Sequence, residues 1–236
     1  MTYVLIHGAW HANWCWEKVV PLIEKKGHRV LAPNLPGHGK ASIIKNITLK
    51  TYVDKIISLI EREEKQVILV GHSMAGVVIT QVASNIPEQI NTLIYISGFV
   101  PKHRGALVHE ESKNSSVSKE IFIDPENNEI SLKLSDKIKH IFYNNCTEKD
   151  YRWALSNLQK QALRPFIDTI NISEERFGKV SKIYIECLKD EAIKIEDQRR
   201  MHAKLTCDIV SLETDHSPFI SSPVELVEAL TRFQDT

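Results

Sequence analysis

The chain reads as an α/β protein: a mostly parallel sheet of about six strands with helices on both faces. Three observations predict this. Strand-length apolar runs alternate with stretches of helical periodicity through the first hundred residues and again after residue 181. One run, Val67-Ile68-Leu69-Val70, leads through Gly71 and Ser73 into a stretch to Ala83 that is apolar nearly all round, as a buried strand and helix would be. The length, 236 residues, suffices for one such domain with a full core and an insertion.

In chain order, Tyr3 to His7 is a short apolar strand followed by His7-Gly8-Ala9-Trp10. A helix is expected next, with Trp16, Val19, Val20 and Ile23 on one face and Gly27 as its stop. Arg29 to Ala32 reads as a strand entering the breaker-rich loop Pro33-Asn34-Leu35-Pro36-Gly37-His38-Gly39. Thr48 caps a helix carrying Leu49, Tyr52, Val53, Ile56, Ile57 and Ile60 at helical spacing. The Val67 strand and its helix follow, then a strand from Thr92 to Ser97.

The alternation stops between Pro101 and Val180. Residues 120–123 and 130–134 flank a turn-like Asp124-Pro125-Glu126-Asn127-Asn128 and predict a hairpin. Two helices are expected beyond it, one around Ile138, Ile141 and Phe142, the other opening at Thr147-Glu148-Lys149-Asp150. Lying between sheet strands, residues 101–180 read as a lid on a core made of 1–100 and 181–236. The sheet resumes at Lys182 to Leu188, a helix follows near Ile195 to Ala203, and Cys207 to Leu212 is the last strand. Ser222-Pro223-Val224-Glu225 should open the final helix with a capping box.

Thirty basic and thirty acidic residues cancel, so composition points away from nucleic acid and anionic membrane as partners. No apolar run approaches bilayer length. No secretory signal is visible before Tyr3, and four scattered cysteines without a C-x-x-C pair fit reduced thiols, so a cytoplasmic setting is expected.

A serine wedged between a buried strand and a buried helix, with a glycine two residues before it, has the form of a nucleophile elbow. The turn lifts the Ser73 hydroxyl off the sheet, and the helix N-terminus behind it favours developing negative charge. The competing reading makes Ser73 a helix cap. A serine hydroxyl needs a base held by a carboxylate, and in this architecture acid and base follow in that order on later strand ends. His216, in the loop leaving the last strand, is the expected base, ahead of His202 in its helix pattern. Asp190, just past the strand ending at Leu188, is the expected acid, with Glu191 the alternative. Oxyanion donors are expected at the backbone N–H groups of Met74 and Ala9. Trp10, Phe142, Tyr143 and Trp153 are candidates for lining a substrate pocket, and His7 and His11 lack the glutamate of a zinc motif, so no metal is expected.

With these positions placed, the chain resembles the α/β-hydrolase superfamily, and within it the branch of plant methylesterases, hydroxynitrile lyases and bacterial esterase relatives. The matching pieces are Val4-Leu5-Ile6-His7-Gly8-Ala9-Trp10, Leu35-Pro36-Gly37-His38-Gly39, Gly71-His72-Ser73-Met74-Ala75-Gly76, Lys182-Ile183-Tyr184-Ile185, Lys189-Asp190-Glu191 and Asp215-His216. Ala75 departs from the G-x-S-x-G pattern, with Gly76 following at once. The resemblance implies a Ser73–Asp190–His216 triad, a lid over an apolar pocket, a small-molecule ester substrate, no cofactor and, often in that branch, a homodimer. Lyases of the branch carry a threonine after the first histidine and a lysine after the catalytic one, where this chain has Gly8 and Ser217, so the resemblance favours ester hydrolysis over cyanohydrin cleavage. A binding protein with little turnover on the same fold is the other alternative.

Overall fold

A computed structural model of the protein describes residues 1–39, 43–110 and 115–232. Residues 111–114 of the expected lid and 233–236 of the expected core lie outside the described residues. The strands are β1 (Thr2–Ile6), β2 (Arg29–Leu31), β3 (Val67–His72), β4 (Ile90–Ile96), β5 (Ile121–Asp124), β6 (Glu129–Leu132), β7 (Gln161–Ala162), β8 (Ser181–Cys187) and β9 (Asp208–Leu212). Helices of the first half are α1 (Val20–Lys25), α2 (Leu49–Ile60), α3 (Ala75–Asn85), α4 (Leu107–Glu110) and α5 (Ser116–Lys119). Those of the second half are α6 (Lys137–Phe142), α7 (Glu148–Asn157), α8 (Arg164–Ile167), α9 (Glu174–Gly178), α10 (Ile195–His202), α11 (Pro218–Ser221) and α12 (Pro223–Thr231).

Six strands form one parallel sheet in the order β2-β1-β3-β4-β8-β9. The chain steps outward from β1 to β2, then returns past β1 to β3 and continues the other way. Right-handed crossovers in opposite directions put α1 on one face and the crossover helices α2 and α3 on the other. Accordingly α1 packs with α12, whereas α2, α3 and α9 pack together. The reversal opens a crevice beyond the C-terminal ends of β1 and β3, where the loops after them diverge. The central strand β3 is buried along its whole length, as its uninterrupted apolar sequence requires.

The β4–β8 connection carries the antiparallel sheet β5-β6-β7 and helices α4 to α9. Its hairpin pairs Ile121 with Leu132 and Asp124 with Glu129. The short β7 completes this sheet, and two residues are too few to show a period in sequence.

Three local expectations change. The first expected helix is split into a 3₁₀ turn over Asn13–Trp16 and α1, because Pro21 lacks an N–H and is accommodated only in the first turn of a helix. The strand before the elbow does not end at Val70; Gly71 pairs with Ile6 and Tyr95 inside β3. A glycine is needed there because a Cβ would come within 2.8 Å of Ile79 on α3. At α12, Pro223 takes the first turn but Ser222 makes no capping bond with its side chain. Ser222 is also the C-cap of α11, donating its N–H to the carbonyl of Pro218, and this sets its backbone away from capping geometry. Thr48, by contrast, forms a full capping box with Thr51.

Candidate active site

The turn between β3 and α3 holds Ser73 at φ 52°, a left-handed conformation uncommon for a non-glycine residue. It is fixed on both sides: the Ser73 N–H donates to the Ile96 carbonyl on β4, and the Ser73 carbonyl accepts from Gly76 and Phe99. The Ser73 side chain does not cap the helix; Met74 holds the N-cap position and makes no side-chain capping bond. The tight approach of helix to loop falls at Gly76, where a Cβ would lie 2.3 Å from the Phe99 carbonyl oxygen. Ala75 is one residue away from that contact, which accounts for the tolerated departure from the elbow pattern.

The loop after β8 delivers Asp190, and the loop after β9 delivers His216. Nδ1 of His216 donates to Asp190 Oδ2 over 2.7 Å, with both side chains buried. Asp190 Oδ1 accepts the N–H groups of Ala192 and Ile193 at 2.7 and 2.8 Å. With Nδ1 committed to the carboxylate, Nε2 is the ring nitrogen left for chemistry. His216 and Ser73 line one pocket. Among the described residues the Ser73 hydroxyl makes no hydrogen bond, to His216 or to any other group; in ligand-free sites such bonds often tighten only when substrate binds.

Ala9 and Met74 lie on the same pocket, and among the described residues neither backbone N–H donates a hydrogen bond within the protein. Buried amides are nearly always paired, so two unpaired ones beside a pocket shared with a serine are an arrangement suited to a negative oxygen. The rest of the wall is Trp10, Phe99, Leu107, Val117, Ile121, Ile130, Phe142, Phe166, Ala192 and Ile193. It surrounds a small, mostly apolar cavity of about 40 Å³. Among the described lining residues only Ser73 and His216 bring polar side chains.

Of the four pocket candidates from sequence, Trp10 and Phe142 line the pocket and pack edge-on to each other, with 6.0 Å between ring centroids. Tyr143 and Trp153 are elsewhere. Tyr143 is fully buried beside Phe142 and its hydroxyl bonds His11 Nε2 at 2.7 Å, whereas Trp153 packs edge-on against Trp14. Glu191 forms a surface pair with Lys194 and does not approach the histidine, and His202 bonds Glu186 at 2.9 Å. Asp215 accepts hydrogen bonds from Asn145 N, Ser217 N and Ser221 Oγ, anchoring the histidine's loop to the β4–β8 connection.

The other histidines near the site are buried, each with a defined role. Leu35 N–H donates to His7 Nε2 at 3.1 Å while His7 Nδ1 donates to the Gly8 carbonyl. His11 Nδ1 donates to the Ala9 carbonyl, and His38 Nδ1 to the His11 carbonyl. His72 Nε2 donates to the carbonyl of His216 at 2.8 Å, bracing the loop that carries it. Burial pushes the pKa of His11 and of His38 down to about 4, and those of His7 and His72 well down, with the neighbouring histidines adding to the effect at His7, His11 and His72. These rings are neutral supports for the loops after β1, β2 and β3. Among the described residues no group of side chains could hold a metal ion.

A hydroxyl on a strained strand-to-helix turn, a carboxylate-bound imidazole and two free amides on one apolar pocket define the architecture of an α/β hydrolase. The chain belongs to this family: residues 3–229 match the model of the "Alpha/beta hydrolase family". It is similar to Methylesterase 2 of Arabidopsis thaliana, 32% identical over 254 residues, covering 99% of this chain and 95% of that protein. It is also similar to the pyrethroid hydrolase of Sphingobium wenxiniae, 30% identical over 246 residues, covering 98% and 87%. Among solved structures, a pyrethroid hydrolase from Sphingobium faniae superposes with a TM-score of 0.89 at 29% identity, covering 100% of this chain and 98% of that one. These relatives place it in the methylesterase-like branch. No described helix is long and apolar enough to cross a membrane.

Proposed function

We propose that the protein is a serine esterase that cleaves carboxylic esters of small apolar or aromatic compounds through an acyl-enzyme, without a cofactor. The observation that carries this reading is the shared pocket: Ser73, the Asp190-bound His216 and the free amides of Ala9 and Met74 all open on it. His216 Nε2 takes the proton of Ser73 as the hydroxyl oxygen attacks the ester carbonyl. Asp190 orients the ring and stabilises its cation. The Ala9 and Met74 amides receive the oxyanion, His216 returns the proton to the leaving alcohol, and water activated by the same ring releases the acid. Relatives named as methylesterases and a pyrethroid hydrolase support esters as the substrate class. In this reading residues 101–180 form the lid, supplying Leu107, Val117, Ile121, Ile130, Phe142 and Phe166 to the pocket. Cyanohydrin cleavage asks for a cation beside the departing cyanide, and no lysine or arginine is among the described lining residues.

The test is a panel of p-nitrophenyl esters graded in acyl length, assayed with the wild type and Ser73→Ala. Saturable turnover that falls by about 10³-fold or more in the variant is expected. Turnover by Ser73→Ala within tenfold of wild type, or tight ligand binding by a wild type that turns over no ester, overturns the reading.

A further inference from the structure

Beyond Ser73, Asp190 and His216, one more buried hydroxyl joins the same network. Ser97 stands just past β4 with no solvent exposure, and its Oγ donates to Asp190 Oδ2 at 2.5 Å. That is the oxygen which takes the Nδ1 proton of His216, and the distance is in the short range for a hydroxyl on a carboxylate. Four donors therefore meet the carboxylate: two backbone amides on Oδ1, and the imidazole and Ser97 on Oδ2. Ser97 is held for this at φ 40°, a backbone region that a serine occupies only when its surroundings fix it there. Its N–H bonds the Ile185 carbonyl on β8 at 2.9 Å, tying it to the strand that leads to the Asp190 loop. Its sole mark in the sequence is its place at a strand end.

We propose that Ser97 is a positioning residue for the acid–base pair, fixing Asp190 Oδ2 against the imidazole and sharing its negative charge. The proposal rests on the esterase reading for its kinetic consequences but not for its geometry. Two donors on one oxygen compete for its charge, so loss of the hydroxyl leaves more of it for the Nδ1–H and favours the protonated ring. The loss also frees Oδ2 to rotate, which costs alignment.

The titratable groups around the pair come from several elements. From β3, the His72 ring lies tilted at 4.6 Å from the His216 ring, and His11, after β1, interacts with it electrostatically. From β8, Tyr184 and Cys187 feel the Asp190 charge. Asp215, in the histidine's own loop, is turned toward Asn145, Cys146 and Ser221. None of these hydrogen-bonds the Ser97 hydroxyl among the described residues, so substitution at 97 acts through Asp190.

The experiment compares Ser97→Ala and Ser97→Gly with the wild type. Glycine adopts the left-handed backbone without strain, so this variant removes the hydroxyl even if alanine fails to fold. The acid limb of kcat/KM against pH is expected to move up by about half a unit, a threefold change in ring protonation. With it, kcat should fall about tenfold while KM changes little. An unmoved acid limb, with only kcat or folded yield reduced, overturns the proposal. An NMR titration of the His216 ring in Ser73→Ala, with and without Ser97→Gly, reads the same effect without turnover. An upward shift there supports the role of Ser97 even if no ester is hydrolysed, and an unchanged titration rejects it.

Discussion

Acidification from pH 7.5 to 5.5 perturbs the supports of the site before it perturbs the surface ion pairs. His11 and His38 have pKa values near 4 in the folded chain, against an ordinary 6.5, because burial disfavours their charged forms. A folded-state pKa below the unfolded one means that the unfolded chain binds more protons across the interval, so stability rises with pH there. The stabilisation is complete above about 6.5 and is lost as the pH falls from there toward 4. Over two units, from 7.5 to 5.5, each ring should cost on the order of 1 kcal/mol, and His11 and His38 together about 2–3 kcal/mol. His7 and His72 are displaced in the same direction, chiefly by burial, and add to the loss on acidification. The carboxylates held below their usual range by cationic partners, such as Glu148 and Asp150, titrate at lower pH and leave this window to the histidines. Urea unfolding followed by tryptophan fluorescence should show the midpoint falling steeply below pH 6.5. A His38→Gln variant should lose close to one proton of that dependence. A midpoint flat between pH 7.5 and 5.5 would refute the claim that these rings are buried and neutral.

Two further outcomes follow from the geometry of the elbow and the acid. Asp190→Asn keeps the shape of the carboxylate but offers the ring no charge, so kcat for an aryl ester should fall by about 10⁴-fold; a loss under tenfold would move the acid role elsewhere. Gly76→Ala sets a Cβ against the Phe99 carbonyl oxygen, and the helix must shift to admit it. A loss of about 1–3 kcal/mol is expected together with lower kcat, and unchanged denaturation and kinetics would show that the contact yields freely.

The strands of the main sheet and the places of the candidate site residues along the chain could be proposed from sequence because both rest on local pattern. Apolar runs mark β1, β3, β4 and β8, and Asp190 and His216 sit just past strand ends, where a parallel sheet gathers side chains. The pocket wall could not be read in this way. Phe142 and Tyr143 are neighbours of similar character, yet one faces the pocket and the other reaches His11. Which does which depends on how the β4–β8 connection docks, a tertiary fact that periodicity within a helix does not carry. Phe166 lies in a four-residue helix too short to show a face. Trp153, a pocket candidate from sequence, packs edge-on against Trp14 instead. Ser97 was hidden for another reason: serine at a strand end is common, and only the approach of the β8 loop shows what its hydroxyl meets.

The most direct measurement of the mechanism is peptide mass spectrometry after reaction with a fluorophosphonate that mimics an activated ester. The account predicts one covalent adduct, on the peptide carrying residue 73, absent in Ser73→Ala and forming far more slowly in Asp190→Asn. Labelling of another side chain at the wild-type rate, or a wild type that never reacts, would contradict it.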